Sequence, residues 1–171
     1  MVIIGIDPGL YGAVAILAED GAVEALYDTP TLTLRTSRGT RQEYAVPGLV
    51  ALLEPYRGLP CHVLIEEAQP MPGQGVRSMF TCGLGMGVWL GILAALALPH
   101  SRVRPQVWKK ALGLGKDKEA ARLRAQQLFP TADLRLKKHH GRAEALLLAR
   151  YGQRAGGRLP SARRPASFSR V

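Results

Sequence analysis

The chain has 171 residues, enough for one domain with a substantial core, and carries 23 Lys and Arg against 13 Asp and Glu, for a formal charge of +10. The charge is lopsided: residues 1–60 hold 4 basic and 7 acidic side chains, residues 61–171 hold 19 and 6, and Arg outnumbers Lys by 17 to 6. Guanidinium forks match phosphate oxygens, so a polyanion, most simply nucleic acid, is the expected partner. The two cysteines, Cys61 and Cys82, form neither a CxxC pair nor a zinc spacing, which excludes a disulfide scaffold and implies a reducing compartment. No basic segment precedes the short apolar start, so no secretory signal is expected and the expected location is the cytoplasm, of a cell or of a virus's host.

Taken in order, Val2 to Ile6 is apolar on both faces and runs into Asp7-Pro8-Gly9, the pattern of a central strand that delivers a carboxylate and then turns. Gly12 to Leu17 and Ala22 to Tyr27 read as two further strands joined through Glu19-Asp20-Gly21, giving an antiparallel meander. Residues 29–43, rich in Thr, Ser, Arg and Gly, read as a polar loop, and Val46 to Tyr56 as a helix with Val50 and Leu53 toward the sheet. Cys61 to Ile65 is a second buried strand, again ending in carboxylates, Glu66 and Glu67, and Gln69 to Gly75 is a loop.

Ser78 to Leu98 is an uncharged stretch of 21 residues, long enough to cross a membrane. Its glycines and its place in a mixed α/β pattern favour instead a helix buried between the sheet and a partner helix, so no membrane partner is expected. Gly83, Gly87 and Gly91 recur at every fourth position, which permits close approach of a second copy and predicts a homodimer. Arg102 to Arg104 reads as a last strand, Pro105 to Leu112 as a short helix, and Asp117 to Phe129 as a helix loaded with Arg and Lys. A final helix is predicted from His140 to Tyr151. The expected organisation is one domain over residues 1–151 and a basic, disordered tail over 152–171.

On that last helix His140, Glu144, Leu147, Leu148 and Tyr151 share a face, so Glu144 lies on the apolar stripe, where a carboxylate is costly unless positive charge waits there. Taken singly, a turn aspartate, a helix-start glutamate and a capping histidine need no function. Together, Asp7, Glu66 and Glu144 each end or begin an element at what could be one sheet edge, with His140 one helical turn from Glu144. Such a cluster repels itself without cations. Oxygen donors and an imidazole suit Mg²⁺ or Mn²⁺, and two such ions per site can activate water and stabilise a leaving oxygen in phosphodiester hydrolysis. No small-molecule cofactor is expected. Gln74, Arg77 and Phe80, following Glu66, offer a base-edge contact, a phosphate contact and a stacking surface.

The segments IGIDPGLYGAVAIL, LIEEAQPMP, GLGMGVWLGILAAL, VRPQVWKKALGLGKDKEAARLRAQQLFP and KKHHGRAEALLLARYG occur in this order. In combination they resemble the RuvC-type Holliday-junction resolvases of the ribonuclease-H-like superfamily, nearest the variant represented by the monokaryotic-chloroplast resolvase. The resemblance covers residues 2 to about 151. It implies an α/β fold, a ribonuclease-H-like mixed five-stranded sheet with helices on both faces. It implies a Mg²⁺-dependent crossover-junction endodeoxyribonuclease that resolves four-way DNA by paired nicks, two subunits facing one junction. Asp7, Glu66 (rather than Glu67) and Glu144 match the catalytic acids. Many relatives have an acid near His140, so the histidine is a departure, and His139 competes with it as fourth ligand. Lys109 and Lys118 match basic residues that meet the scissile phosphate; Lys116, Arg122, Lys137 and Lys138 are further candidates for DNA contact. Two rival readings stand beside this one. A non-catalytic DNA-binding module of the same fold is kept open by His140, and an actin-like phosphotransferase fits badly because the chain lacks room for a second domain.

Overall fold

The computed structural model describes residues 1–37, 39–69, 73–115 and 117–156. The elements run β1 (Val2–Asp7), β2 (Ala13–Leu17), β3 (Val23–Asp28), β4 (Thr31–Thr36), β5 (Gly39–Tyr44), α1 (Val46–Leu53), β6 (Cys61–Glu66), α2 (Val76–Ala95), β7 (His100–Val103), α3 (Pro105–Ala111), α4 (Lys118–Leu128) and α5 (His140–Ala155). The main sheet has five strands in the order β3-β2-β1-β6-β7; β1, β2 and β3 pair antiparallel, while β6 and β7 add in parallel. The mixed sheet expected from the sequence is therefore observed, with β1 at its centre.

Both faces of β1 are apolar because both are covered. Ile4 and Ile6 join Val14, Ile16, Val63 and Ile65 under α1 and α2. Ile3 faces the other way with Ala13, Ala15, Leu17 and Leu64, under α5 and, beyond it, α3 and α4. Gly5 is where this second layer comes closest. A Cβ there would collide with the Ala145 carbonyl oxygen and lie 2.7 Å from the Ala149 amide nitrogen, so α5 rests its backbone on β1 at Gly5. Small residues on both partners allow it, and α5 is buried almost all round, Ala143, Ala145 and Leu146 to Ala149 included. Glycine at 141 repeats the device against Tyr11 and Gly12, and at 152 against Leu64 and Ile3.

Two expectations are corrected. Residues 29–43 are not a loop but mostly a two-stranded ribbon, β4 paired with β5 from Thr31↔Tyr44 to Thr36↔Gly39. Almost every residue of this ribbon faces solvent at least in part, so it lacks the apolar alternation that marks a half-buried strand. Nor is α2 buried between the sheet and a partner helix. It buries Gly85, Met86, Trp89, Ile92 and Leu93, while Gly83, Gly87 and Gly91 open onto space with no atom within 4 Å of a built Cβ. Beside them a shallow apolar groove of about 290 Å³ runs between α1 and α2, lined by Val46, Val50, Gly87, Val88, Gly91 and Leu96 among others. By length and composition alone α2 could also cross a membrane. On α1 the buried residues are Leu49 and Leu53; Val50 is half-buried, packed against the same core and lining the groove.

Overpacking a close backbone contact costs about 1–3 kcal/mol. Gly5→Ala should therefore lower the unfolding free energy by that amount, read as a lower urea midpoint at unchanged m, and Gly5→Val should leave little folded protein. An unchanged midpoint for Gly5→Ala would mean that α5 does not rest on β1.

Candidate active site

The β1–β6 register pairs Ile6 with Ile65, so its next step sets Asp7 beside Glu66 at the carboxyl ends of two parallel strands. Neighbouring strands lie about 5 Å apart. α5, seated on Gly5 and held against Tyr11 and Gly12 at Gly141, brings Glu144 over the same edge. The beginning of α5 is also fixed from the side. Arg142 forks onto both carboxylate oxygens of Asp28, at 2.6 and 2.7 Å, and onto Asp133 at 3.2 Å, tying the end of β3 to the helix start. That guanidinium holds Asp28 below the usual carboxylate range.

The acids feel one another. Burial first, then the charge of Glu144, pushes Asp7 up to about 6, against the opposing pull of the Gly9 N–H and of Lys118 and Lys109. Burial, then Glu144 and Asp7, pushes Glu66 up to about 7, against the Trp108 hydrogen bond and Lys109. Helix α3 sends two consecutive side chains into the cluster: Trp108 Nε1 donates to Glu66 Oε2 at 2.8 Å, and Lys109 Nζ to Glu144 Oε1 at 2.7 Å. The ammonium also lies 5.1 Å from the Trp108 ring centroid. Gly9 N–H donates to Asp7 Oδ1 at 3.2 Å. Glu67 is engaged elsewhere, by Arg102 at 2.6 Å and Arg104 at 3.3 Å, so of the two adjacent glutamates Glu66 faces the cluster.

The structure thus brings together Asp7, Glu66, Glu144 and Lys109; Lys118 bears on Asp7 through its charge, without an ion pair to the acids among the described residues. Trp108, which orients Glu66, went unread in the sequence; a tryptophan next to the lysine on a short helix was the only signal. His140 is not drawn into the cluster: no carboxylate lies within ion-pairing distance of it among the described residues, and its Nδ1 is buried without a partner. His139 turns to the other side, its Nδ1 3.9 Å from Asp133. Lys137 and Lys138 are exposed, as are Arg77 and Phe80, the latter 70% so. Gln74 is half-buried and donates to Ser78 Oγ at 2.8 Å. Arg122 corrects an expectation. It is buried, bound to Glu119 and donating to the Leu134 carbonyl, so its guanidinium braces α4 against the segment before α5 instead of facing DNA. Lys116, Met71 and Pro72 lie outside the described residues, as does residue 157 onward.

Among the described residues no three His, Cys, Asp or Glu side chains close into a ready-made metal site. Yet three hard-oxygen groups at one edge, two of them pushed toward protonation by burial and by the charge of Glu144, leave a surplus of negative charge that the ammonium paired to Glu144 only partly offsets. The chemistry of the donors fits a divalent ion; Nδ1 of both His139 and His140 is buried without a hydrogen-bond partner, and of the two His140 lies one turn before Glu144.

No family model matches the chain. An 89-residue stretch, 50% of the chain, is 38% identical to the Holliday junction resolvase MOC1, chloroplastic, of Chlamydomonas reinhardtii, of whose length it spans 10%. Two solved structures match nearly end to end: Thermus thermophilus RuvC, alone and in complex with Holliday junction substrate. Each has a TM-score of 0.61 and 19% identity over 91% of this chain, covering 97% and 96% of theirs. The fold is that of RuvC.

The raised carboxyls make a signed prediction. Asp7 moves from 3.8 to about 6 and Glu66 from 4.5 to about 7 on folding, so between about pH 4 and 7 the folded chain keeps protons that the unfolded chain has released. The stability of the metal-free protein should therefore fall as pH rises through that window. Thermal melts should show a shallower fall for the Asp7→Asn/Glu66→Gln double variant. Mg²⁺ or Mn²⁺ should raise the Tm of the unaltered chain at pH 7 and leave the double variant unmoved. Parallel curves for the two proteins would remove these carboxyls from the account.

Proposed function

We propose that the chain is a metal-dependent, structure-selective endonuclease that resolves four-way DNA (Holliday) junctions by paired phosphodiester hydrolysis. The observation that carries this reading is the meeting of Asp7, Glu66 and Glu144, from two parallel strand ends and the first turns of α5, with Lys109 and Lys118 beside them. The likeness of half the chain to a Holliday junction resolvase and the fold match to RuvC with its junction substrate support the substrate class.

In this reading Asp7, Glu66 and Glu144, with His140, would hold two Mg²⁺ or Mn²⁺ ions, which when bound supply an activated water and charge stabilisation at the leaving oxygen. Trp108 fixes the Glu66 carboxylate by its indole N–H, and the Gly9 amide does the same for Asp7. Lys109 and Lys118 meet the charge that develops on the scissile phosphate. Lys116, Lys137 and Lys138 supply electrostatic affinity, and Arg77 and Phe80, on the exposed first turns of α2 beyond Glu66, engage DNA near the cut, with Gln74 at a base edge. The domain that does this runs past the expected boundary at 151 to the end of α5 at Ala155, since Gly152 packs on Leu64 and Ile3 and Gln153 donates to the Ala18 carbonyl at 2.7 Å; of the basic tail expected over 152–171, residue 157 onward lies outside the described residues.

Paired nicks call for two subunits. The second copy covers the open face of α2 at Gly83, Gly87 and Gly91 and fills the groove against α1. We place the protein in a DNA-containing compartment, the cytoplasm of a cell or of a virus's host, or an organelle such as the chloroplast for which its relative is named.

On a labelled mobile junction with Mg²⁺ or Mn²⁺, Asp7→Asn, Glu66→Gln and Glu144→Gln should each abolish nicking and keep junction binding. Lys109→Ala should slow it about 10²–10³-fold, the range for loss of one charge-stabilising donor. Full activity in any of the amide variants removes that residue from the site. His140→Asp should retain cleavage and His140→Ala should demand more metal, whereas His139→Ala should change little.

Sedimentation of the unaltered chain at micromolar concentration should show a dimer, and Gly87→Leu a monomer. A monomer in both, or recovery of the chain with membranes on fractionation, would give the α2 face another occupant.

A further inference from the structure

The ribbon β4–β5 contributes no residue to the acidic cluster, yet it is rooted beside it. Tyr44, at the root, is buried, and its hydroxyl donates to the carbonyl of Pro8, the residue after Asp7, at 2.9 Å. A Cβ on Gly85 would collide with that hydroxyl, so α2 closes over the same joint. Thr29 N–H to the Gly12 carbonyl and Ala45 N–H to the Pro30 carbonyl, both 3.0 Å, tie down the two legs. Six residues per strand carry the ribbon about 20 Å outward from this root.

Register sorts the ribbon into unlike faces, because directly opposed residues share a face. Thr31, Thr33 and Arg35 stand opposite Tyr44, Gln42 and Thr40, and Gln42 Nε2 donates to Thr33 Oγ1 at 2.8 Å. The other face pairs Leu32 and Leu34 with Glu43 and Arg41, and those last two form an ion pair. The face shared with Tyr44 therefore offers hydroxyls, an amide and a guanidinium, and Arg35 makes no ion pair among the described residues. Charge points the same way. Residues 1–60 are acidic overall, 7 against 4, yet from Thr29 to Gln42 there are three arginines and no acid.

We propose that the ribbon is an arm that lies along the sugar-phosphate backbone of the duplex flanking the phosphate cut beside Asp7, with Arg35, Thr40, Thr33 and Gln42 as its contacts. Groups of this kind position a duplex without reading its sequence. The arm thus sets affinity and orientation, and not the rate of the chemical step. The inference rests on the nuclease reading for what happens at Asp7, though not for the presence of DNA.

The test is a salt titration of binding by the full chain to a four-way junction and to a linear duplex, together with single-turnover nicking at saturating protein. Arg35→Ala should weaken binding to both DNAs several-fold and lower the slope of log K against log salt by about 0.9, the value for one phosphate contact. Its saturated nicking rate should stay within about twofold, as expected where a phosphate contact serves affinity alone. Arg57→Ala, which removes the same charge at the opposite end of the sheet where β1 and β6 begin, should leave binding and slope unchanged. If the two variants cannot be told apart, the ribbon is not a DNA arm, while nicking by the unaltered chain keeps the nuclease reading. If the unaltered chain binds DNA without nicking it and Arg35→Ala still costs the slope, the arm stands and the nuclease reading falls. Absence of both binding and nicking overturns both.

Discussion

The structure depends on one close contact, the backbone of α5 against β1 at Gly5. Side chains usually keep a helix about 10 Å from a sheet, and here glycine and alanine let the two approach until there is no room for a Cβ. That approach places Glu144 over the carboxyl ends of β1 and β6 and buries it among apolar neighbours, so the proximity that assembles the acids also makes them costly. Burial and mutual repulsion raise Asp7 and Glu66, and the remaining contacts at this edge offset the cost: an indole N–H on Glu66, an amide on Asp7, an ammonium on Glu144. Strain between carboxylates and their neighbourhood is common where chemistry is done, because a fold selected for stability alone would place an amide or an apolar residue there.

What could be read in the sequence follows from what each segment packs against. Val2 to Asp7 and Cys61 to Glu66 were legible as strands because burial on both faces leaves an unbroken apolar run, and their carboxylate ends stood out for the same reason. The ribbon at Thr31–Tyr44 was not, since a two-stranded element with solvent on both faces is under no pressure to alternate. The exposed face of α2 was misread because glycine and apolar residues look alike in a core and on a surface awaiting cover.

The site itself was half legible. Asp7, Glu66 and Glu144 could be singled out, since an acid at the end of an apolar run is conspicuous, and Lys109 with Lys118 came from the resemblance. Trp108 could not, because a buried tryptophan needs a partner for its N–H but nothing in linear order says which. Arg122 was read as a surface cation; its neighbours Glu119, at i−3, and the Leu134 carbonyl, twelve residues on, turn it inward, and only the first of these could be counted from the chain.

The acidic cluster is assembled from opposite ends of the described chain, β1 at residues 2–7 and α5 at 140–155. Contacts so distant in sequence require a long loop to close before they repay its entropy. A growing polypeptide therefore exposes Asp7 and Glu66 long before Glu144 exists to join them, and partial products of synthesis or proteolysis that lack the last helix hold an incomplete set of acids. The full constellation of acids thus exists only in a chain that includes its last helix.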